Sequence, residues 1–166
     1  MEADKGYNGR GRSVRGMKGP GHREWTEHVE MYLKYIYLLS VQNKGPAKTG
    51  EISEYLKVAP SSVTEMLDRL EEEGLAKHEK YHGALLTRKG REHALRILRR
   101  HCTMEYFLVQ ALSVPEGRYH DEACEMEHVL SDDTTRRLQK LIEQPETCPD
   151  CYDLGKLHCT YLVGKR

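Results

Sequence analysis

Long hydrophobic runs are missing from this chain. Nothing approaches the ~18 consecutive apolar residues of a membrane span, and the amino terminus has no apolar signal-peptide core. The protein is therefore expected to be cytoplasmic. An even set of cysteines is missing too: five cysteines without an export signal argue against a disulfide framework and for thiols or metal ligands. Net charge is absent, 26 Lys and Arg balancing 26 Asp and Glu, so no overall basic excess announces a nucleic-acid partner. There is no internal repeat, no nucleotide-binding loop and no Cys-His pair oriented for nucleophilic attack, which argues against an enzyme. What remains is a 166-residue chain, suited to one compact domain or two small ones sharing a core. Its Leu, Glu, Lys and Arg usage points to a mainly helical fold, and with 38% hydrophobic and 31% charged residues much of its surface is solvated or meets a polar partner.

The balanced charge is unevenly placed. Residues 1–23 carry six Lys or Arg against two acids, whereas residues 120–135 carry six acids and no Lys or Arg. The opening segment is also rich in glycine (Gly6, Gly9, Gly11, Gly16, Gly19, Gly21). Residues 1–24 are thus expected to form a flexible basic arm, able to lie along a nucleic-acid backbone or reach into a minor groove.

Apolar spacing predicts a first helix over 25–41, carried by Val29, Tyr32, Leu33, Ile36 and Leu39, and a second over 49–57. Pro60 suits the first position of a third helix, which turns Val63, Met66, Leu67 and Leu70 inward and stops at Gly74. Two short helices joined by a tight turn read as helix-turn-helix. The outward positions of the third helix, including Ser61, Ser62, Thr64, Glu65 and Arg69 after Pro60, are short or charged groups able to approach base edges and phosphates. Strands over 76–78 and 84–86 around Tyr81-His82-Gly83 predict a wing, where Lys77, Lys80 and Tyr81 join the candidate DNA contacts. A long helix over 87–112 has a stripe of Ala94, Ile97, Leu98, Met104, Leu108 and Ala111. Within that stripe sit His101 and Glu105, one turn apart, and burying them without partners would cost a few kcal/mol. A helix over 120–130 follows, and Ser131 can cap a last one reaching about residue 143, with Leu138, Leu141 and Ile142 on one side.

The most informative stretch is Cys124-Glu125-Met126-Glu127-His128. Spacings of i, i+3 and i+4 put a thiol, a carboxylate and an imidazole on one helical face. Such a face asks for a cation; the alternative is a small core thiol beside two solvated side chains.

Four stretches of the chain resemble the diphtheria-toxin-repressor family of metal-dependent transcription regulators: Glu30-Met31-Tyr32-Leu33, Pro60-Ser61-Ser62-Val63-Thr64, Leu86-Thr87-Arg88-Lys89-Gly90, and the run from His120 through Cys124 to Ser131. The likeness covers roughly residues 25–145. It implies a mainly α fold: a winged helix-turn-helix DNA-binding domain over 25–95, then an all-helical metal-binding and dimerisation domain over 96–145. A Cys-containing tail over 146–166 would follow. By the same resemblance the protein is a homodimer binding palindromic operator DNA once Fe(II) or Mn(II) is bound, and it controls metal-uptake or metal-homeostasis genes. The primary metal site would fall on Met31, Cys124, Glu127 and His128, and the ancillary site on His101, Glu105 and His120.

The manganese-sensing branch resembles this chain in its winged helix but has carboxylates where Met31 and Lys34 stand and a glutamate where Cys124 stands. Thioether and thiolate are softer donors than carboxylate, which favours Fe(II) over Mn(II), with Co(II), Ni(II) or Zn(II) as substitutes in vitro. Larger iron-responsive members add a small β-barrel domain that helps complete the ancillary site. Without it, that site is expected to be incomplete, finished by water or finished by another part of the chain. Cys148-Pro149-Asp150-Cys151 and the later Cys159 are a candidate tail site for zinc or iron, although no second C-x2-C accompanies them. Two competing readings are a metal-independent winged-helix protein and a thiol or metal redox protein.

Overall fold

The computed structural model describes residues 26–79, 82–115, 117–143 and 152–153, and the backbone alone at 158–159. The basic arm, Lys80, Tyr81, Cys148 and Cys151 lie outside the described residues, as does the Cys159 side chain. Helix α1 (Glu27–Asn43) starts at Thr26, whose hydroxyl accepts from the Val29 amide, and ends where Lys44 takes a left-handed conformation. Its buried face includes Val29, Leu33, Ile36 and Leu39, and also Glu30 and Lys34. Helix α2 (Thr49–Leu56) and helix α3 (Pro60–Glu72) follow, the latter opened by Pro60 and burying Val63, Leu67 and Leu70. These three helices are the expected helix-turn-helix with its supporting helix.

Strands β1 (Ala76–Glu79) and β2 (Gly83–Leu86) pair antiparallel, Ala76 opposite Leu86 and Glu79 opposite Gly83. Ala47 adds a third rung, exchanging two backbone hydrogen bonds of 2.9 Å with Ala84. Gly83 has φ +103°, and a Cβ there would stand 2.4 Å from the Ala47 carbonyl oxygen, so the wing needs glycine both for conformation and for approach.

Helix α4 (Arg88–Gln110) is the spine of the molecule. Thr87 locks its start, accepting from the Gly90 amide at 3.2 Å and donating to the Gly74 carbonyl at 2.8 Å. The chain comes so close there that a Cβ on Gly90 would lie 1.9 Å from the Leu75 carbonyl oxygen. A Gly90→Ala protein is expected to be less stable by about 3 kcal/mol in chemical denaturation, because backbone, not a flexible side chain, stands in the way. Helices α1, α5 (Tyr119–Met126) and α6 (Asp132–Leu141) all pack on α4. A two-residue hairpin, β3 (Tyr152–Asp153) with β4 (His158–Cys159), also reaches it.

Three details depart from the sequence reading. Helix α5 stops at Met126 rather than near residue 130: Val129 bonds back to the Met126 carbonyl at 3.2 Å and Ser131 is already capping α6. Glu127 and His128 therefore sit on the turn just beyond α5. Ala111 is exposed at the end of α4, beyond the last buried contact at Leu108, and Leu141 is 73% exposed because the inner face of α6 runs through Thr135, Leu138 and Ile142. Among the described residues, no helix is long and apolar enough to cross a membrane.

Candidate functional site

On α3, Pro60, Ser61, Ser62, Thr64, Glu65 and Arg69 are all exposed, and Lys77 is exposed on β1. The buried stripe of Val63, Leu67 and Leu70 fixes which face of α3 looks outward. Thr64 donates its hydroxyl to the Pro60 carbonyl at 3.1 Å and Arg69 pairs with Glu73 at 3.0 Å, so both side chains are held along the helix. Lys48 donates to the His82 carbonyl at 3.0 Å and braces the wing tip against the start of α2.

Between α1, α4 and the end of α5 lies a buried polar cluster. His101 and Glu105 are fully buried on α4, His101 Nε2 lying 3.0 Å from Glu105 Oε1. His120 Nδ1, on α5, meets the same Glu105 oxygen at 3.0 Å. The Cys124 sulfur lies 3.6 Å from His120 Nε2 and 3.8 Å from His101 Nδ1, and one donor atom from each of these three residues falls within 4.8 Å of the others. Glu127 Oε2 is 2.6 Å from His101 Nδ1. Six of the residues assigned by resemblance to two sites, His101, Glu105, His120, Cys124, Glu127 and His128, thus form one continuous cluster, with Cys124 and Glu127 both touching His101.

His128 sits at the edge of this cluster in an instructive pose. Its Nδ1 is held by Glu30 Oε2 at 2.7 Å, and Glu30 is in turn 3.8 Å from Arg100, which also pairs with Asp132 at 2.9 Å. Its Nε2 is buried, 3.3 Å from Glu127 Oε1, but without a hydrogen bond. A carboxylate orienting one ring nitrogen while the other, without a hydrogen bond, stands beside a second carboxylate is how a metal-binding histidine is set up. The donor set therefore fits a divalent cation. Met31, the remaining candidate ligand, is partly buried on α1 against the hydrophobic core.

Lys34, expected to stand in place of a ligand and to oppose a second cation nearby, is 1% exposed, and its ammonium bonds both Glu127 oxygens at 2.9 and 2.8 Å. Burial opposes that charge, but Glu127 and Cys124 outweigh it and hold the lysine protonated. Burial likewise acts against Glu127, while Lys34 and His101 draw its carboxyl down to about 2. The Cys124 thiol would be pushed up by burial, but hydrogen bonds from His101 and His120, with the Lys34 charge, bring it down to about 6. It is accordingly a ready thiolate near neutrality, the form that binds metal. Burial and Lys34 disfavour charge on His101, but Glu127 and Glu105 prevail and raise it well above its usual range. His120 is raised to about 9, burial being overridden by Cys124 and Glu105.

Tyr152, which the sequence reading did not single out, closes this cluster from the tail. Its ring meets His101 edge-on at 5.3 Å and its hydroxyl lies 3.4 Å from His120 Nδ1. No periodicity marks it, because it belongs to a strand of two residues.

Residues 24–84 match the family described as iron dependent repressor, N-terminal DNA binding domain, and residues 87–153 match iron dependent repressor, metal binding and dimerisation domain. An uncharacterized HTH-type transcriptional regulator of Methanocaldococcus jannaschii is 40% identical over 119 residues, covering 72% of this chain and 95% of that one. The iron-dependent repressor IdeR of Mycobacterium tuberculosis is 36% identical over 126 residues, covering 76% of this chain and 54% of that one. The solved structure of the manganese regulator SloR is similar with a TM-score of 0.63 and 36% identity, over 73% of this chain and 56% of that one. The chain thus spans nearly all of the first relative and about half the length of the other two.

Proposed function

Since this chain belongs to the diphtheria-toxin-repressor family of metal-dependent transcriptional regulators, we propose that it is a homodimeric repressor whose binding to palindromic operator DNA is switched on by Fe(II). The observation that carries this reading is the His128 imidazole, pinned at Nδ1 by Glu30 and left with a buried, unpartnered Nε2 beside Glu127. Met31, Cys124, Glu127 and His128 are the proposed primary ligands, and His101, Glu105 and His120 the ancillary ones. The tail cysteines Cys148, Cys151 and Cys159 are a further candidate site, for zinc or iron.

When bound, the ion would supply the charge and coordination bonds that draw these donors together. Glu30 holds His128 in the orientation that leaves Nε2 for the ligand role, and the two imidazoles beside Cys124 keep its sulfur as thiolate. Met31 and Glu30 stand on α1, which packs on α4 and α2, so a tie between Met31 and the end of α5 would fix the winged helix relative to the dimerisation helices. We assign reading to residues 25–95 and metal binding and dimerisation to 96–145. In a dimer, the exposed face of α3 from Pro60 to Arg69 would enter successive major grooves, about 34 Å apart or a multiple of that, with Lys77 on backbone phosphates. The soft donors Met31 and Cys124 favour iron over manganese.

The test is an anaerobic gel shift on the protein's own promoter with Fe(II), Mn(II) or a chelator. The expected outcome is a complex at lower free Fe(II) than Mn(II), and none with chelator. A shift that persists in chelator would remove metal control, and a preference for Mn(II) at equal free ion would move the protein to the manganese-responsive side of the family. Because linkage is reciprocal, operator DNA should tighten metal binding by the same factor, typically ~1 to 3 kcal/mol.

A further inference from the structure

Lys34 is buried in the middle of a cluster built to hold a cation. Lysines normally run their stems along apolar surface and keep the ammonium in water; this one is 1% exposed, and its partner Glu127 is fully buried. Among the described residues, the polar neighbours of the ammonium are candidate metal donors. It donates to both Glu127 oxygens, at 2.9 and 2.8 Å, and lies 3.8 Å from Cys124 Sγ and 3.4 Å from His101 Nδ1.

We propose that Lys34 is a built-in cation of the metal centre: it holds Glu127 in the metal-free protein and must leave that carboxylate before a divalent ion can take it. Lys34 therefore sets the metal concentration at which the protein responds. This deepens the metal-activated reading above and rests on it.

The argument is one of exclusive occupancy. One ammonium engages both oxygens of Glu127, and His101 already lies 2.6 Å from Oε2. A divalent ion bonded to either oxygen would stand within a few ångströms of the ammonium, and two cations at such range in a buried site repel strongly. Either the lysine is on Glu127 or the metal is. The flexible four-carbon stem gives the ammonium a way to withdraw, and its compact charge needs no fixed partner geometry. The apparent metal affinity is then the intrinsic affinity scaled by the fraction of molecules in which Glu127 is released. In the metal-free protein the same contact ties α1 to the turn after α5, the two elements proposed to be joined by metal. Removing the ammonium should therefore have opposite effects on the two states, weakening the metal-free protein while strengthening metal binding. A residue with a merely structural role would weaken both.

The test compares the parent protein with Lys34→Met, a substitution of similar length without charge that leaves the Glu127–His101 contact in place. Anaerobic Co(II) titration, followed by the thiolate-to-Co(II) absorption and by competition with a chelator of known affinity, gives the dissociation constant. Thermal melts in chelator give the stability of the metal-free chain. The expected result is Co(II) binding tighter by about tenfold or more, together with a lower melting temperature in chelator. If Lys34→Met does not fold, the same comparison is made with Lys34→Gln, whose neutral amide keeps a donor for Glu127. A folded variant that binds Co(II) no more tightly than the parent, while the parent binds it well, overturns the role of Lys34 and leaves the metal-activated reading standing. A parent protein that binds no Co(II) overturns that reading and this proposal together.

Discussion

A Cys124→Ala protein is expected to lose metal-dependent operator binding while keeping its fold. The sulfur is partly exposed and packs between two imidazoles, so its removal takes away little apolar contact, and the melting temperature should fall by no more than about 4 °C. The effect on metal is of another order. Cys124 is the softest donor in the cluster and is already held as thiolate by His101, His120 and Lys34. Even groups that only orient a ligand alter metal affinity by ~10 to 100-fold when replaced, so loss of a ligand should reach about 100-fold or more. The measurement is a gel shift across a range of free Fe(II), with circular dichroism as the control for folding. An unaltered iron response in a folded Cys124→Ala protein would show that the thiol is no ligand and would remove the argument for iron over manganese.

The second large effect is on stability. A Glu127→Ala protein leaves the Lys34 ammonium buried without its carboxylate, and stranding one member of a buried ion pair costs about 3 to 5 kcal/mol. For a chain of this size that corresponds to a melting temperature lower by roughly 10 °C, measured in chelator so that loss of metal does not contribute. The partner experiment is the double replacement Lys34→Met with Glu127→Leu. Exchanging the whole pair for apolar groups of similar volume should recover most of the loss, since a buried pair adds little over good packing once both charges are gone. A double-mutant cycle closed with the single variants Lys34→Met and Glu127→Leu should return a coupling of about 2 kcal/mol or more. Additive losses would mean that the ammonium does not depend on Glu127 in the metal-free protein.

Much of the architecture could be read from residue spacing because it is local. Proline at the start of α3, glycine at its end, the Thr87 and Ser131 caps and the glycine of the wing are features whose physical reasons lie within a few residues of chain. The candidate centre was half legible for the same reason. Cys124, Glu127 and His128 advertise themselves by helical spacing, and so do His101 and Glu105 on an otherwise apolar stripe. What escaped was what depends on approach between distant segments. Resemblance places Lys34 where the manganese branch has a carboxylate, but only the packing of α1 against α4 and the end of α5 reveals that its ammonium is buried against both oxygens of Glu127. Glu30 joins His128 across 98 residues of sequence, and no local signal announces that contact. Ala111 and Leu141 went the other way: periodicity continues to the end of a helix, whereas burial stops where the neighbouring element stops.

The long helix α4 has a mechanical consequence. It is anchored at the wing by Thr87 and carries His101 and Glu105 fourteen and eighteen positions further on. At 1.5 Å per residue, its wing end lies roughly 20 Å from the first of these groups. A stiff rod of that length converts angle into distance. A tilt of about 5° forced at the buried end would sweep the wing through roughly 2 Å, comparable to the difference between a hydrogen bond formed and one lost. Small adjustments among the polar side chains would thus be geared up into displacement at the DNA-facing end.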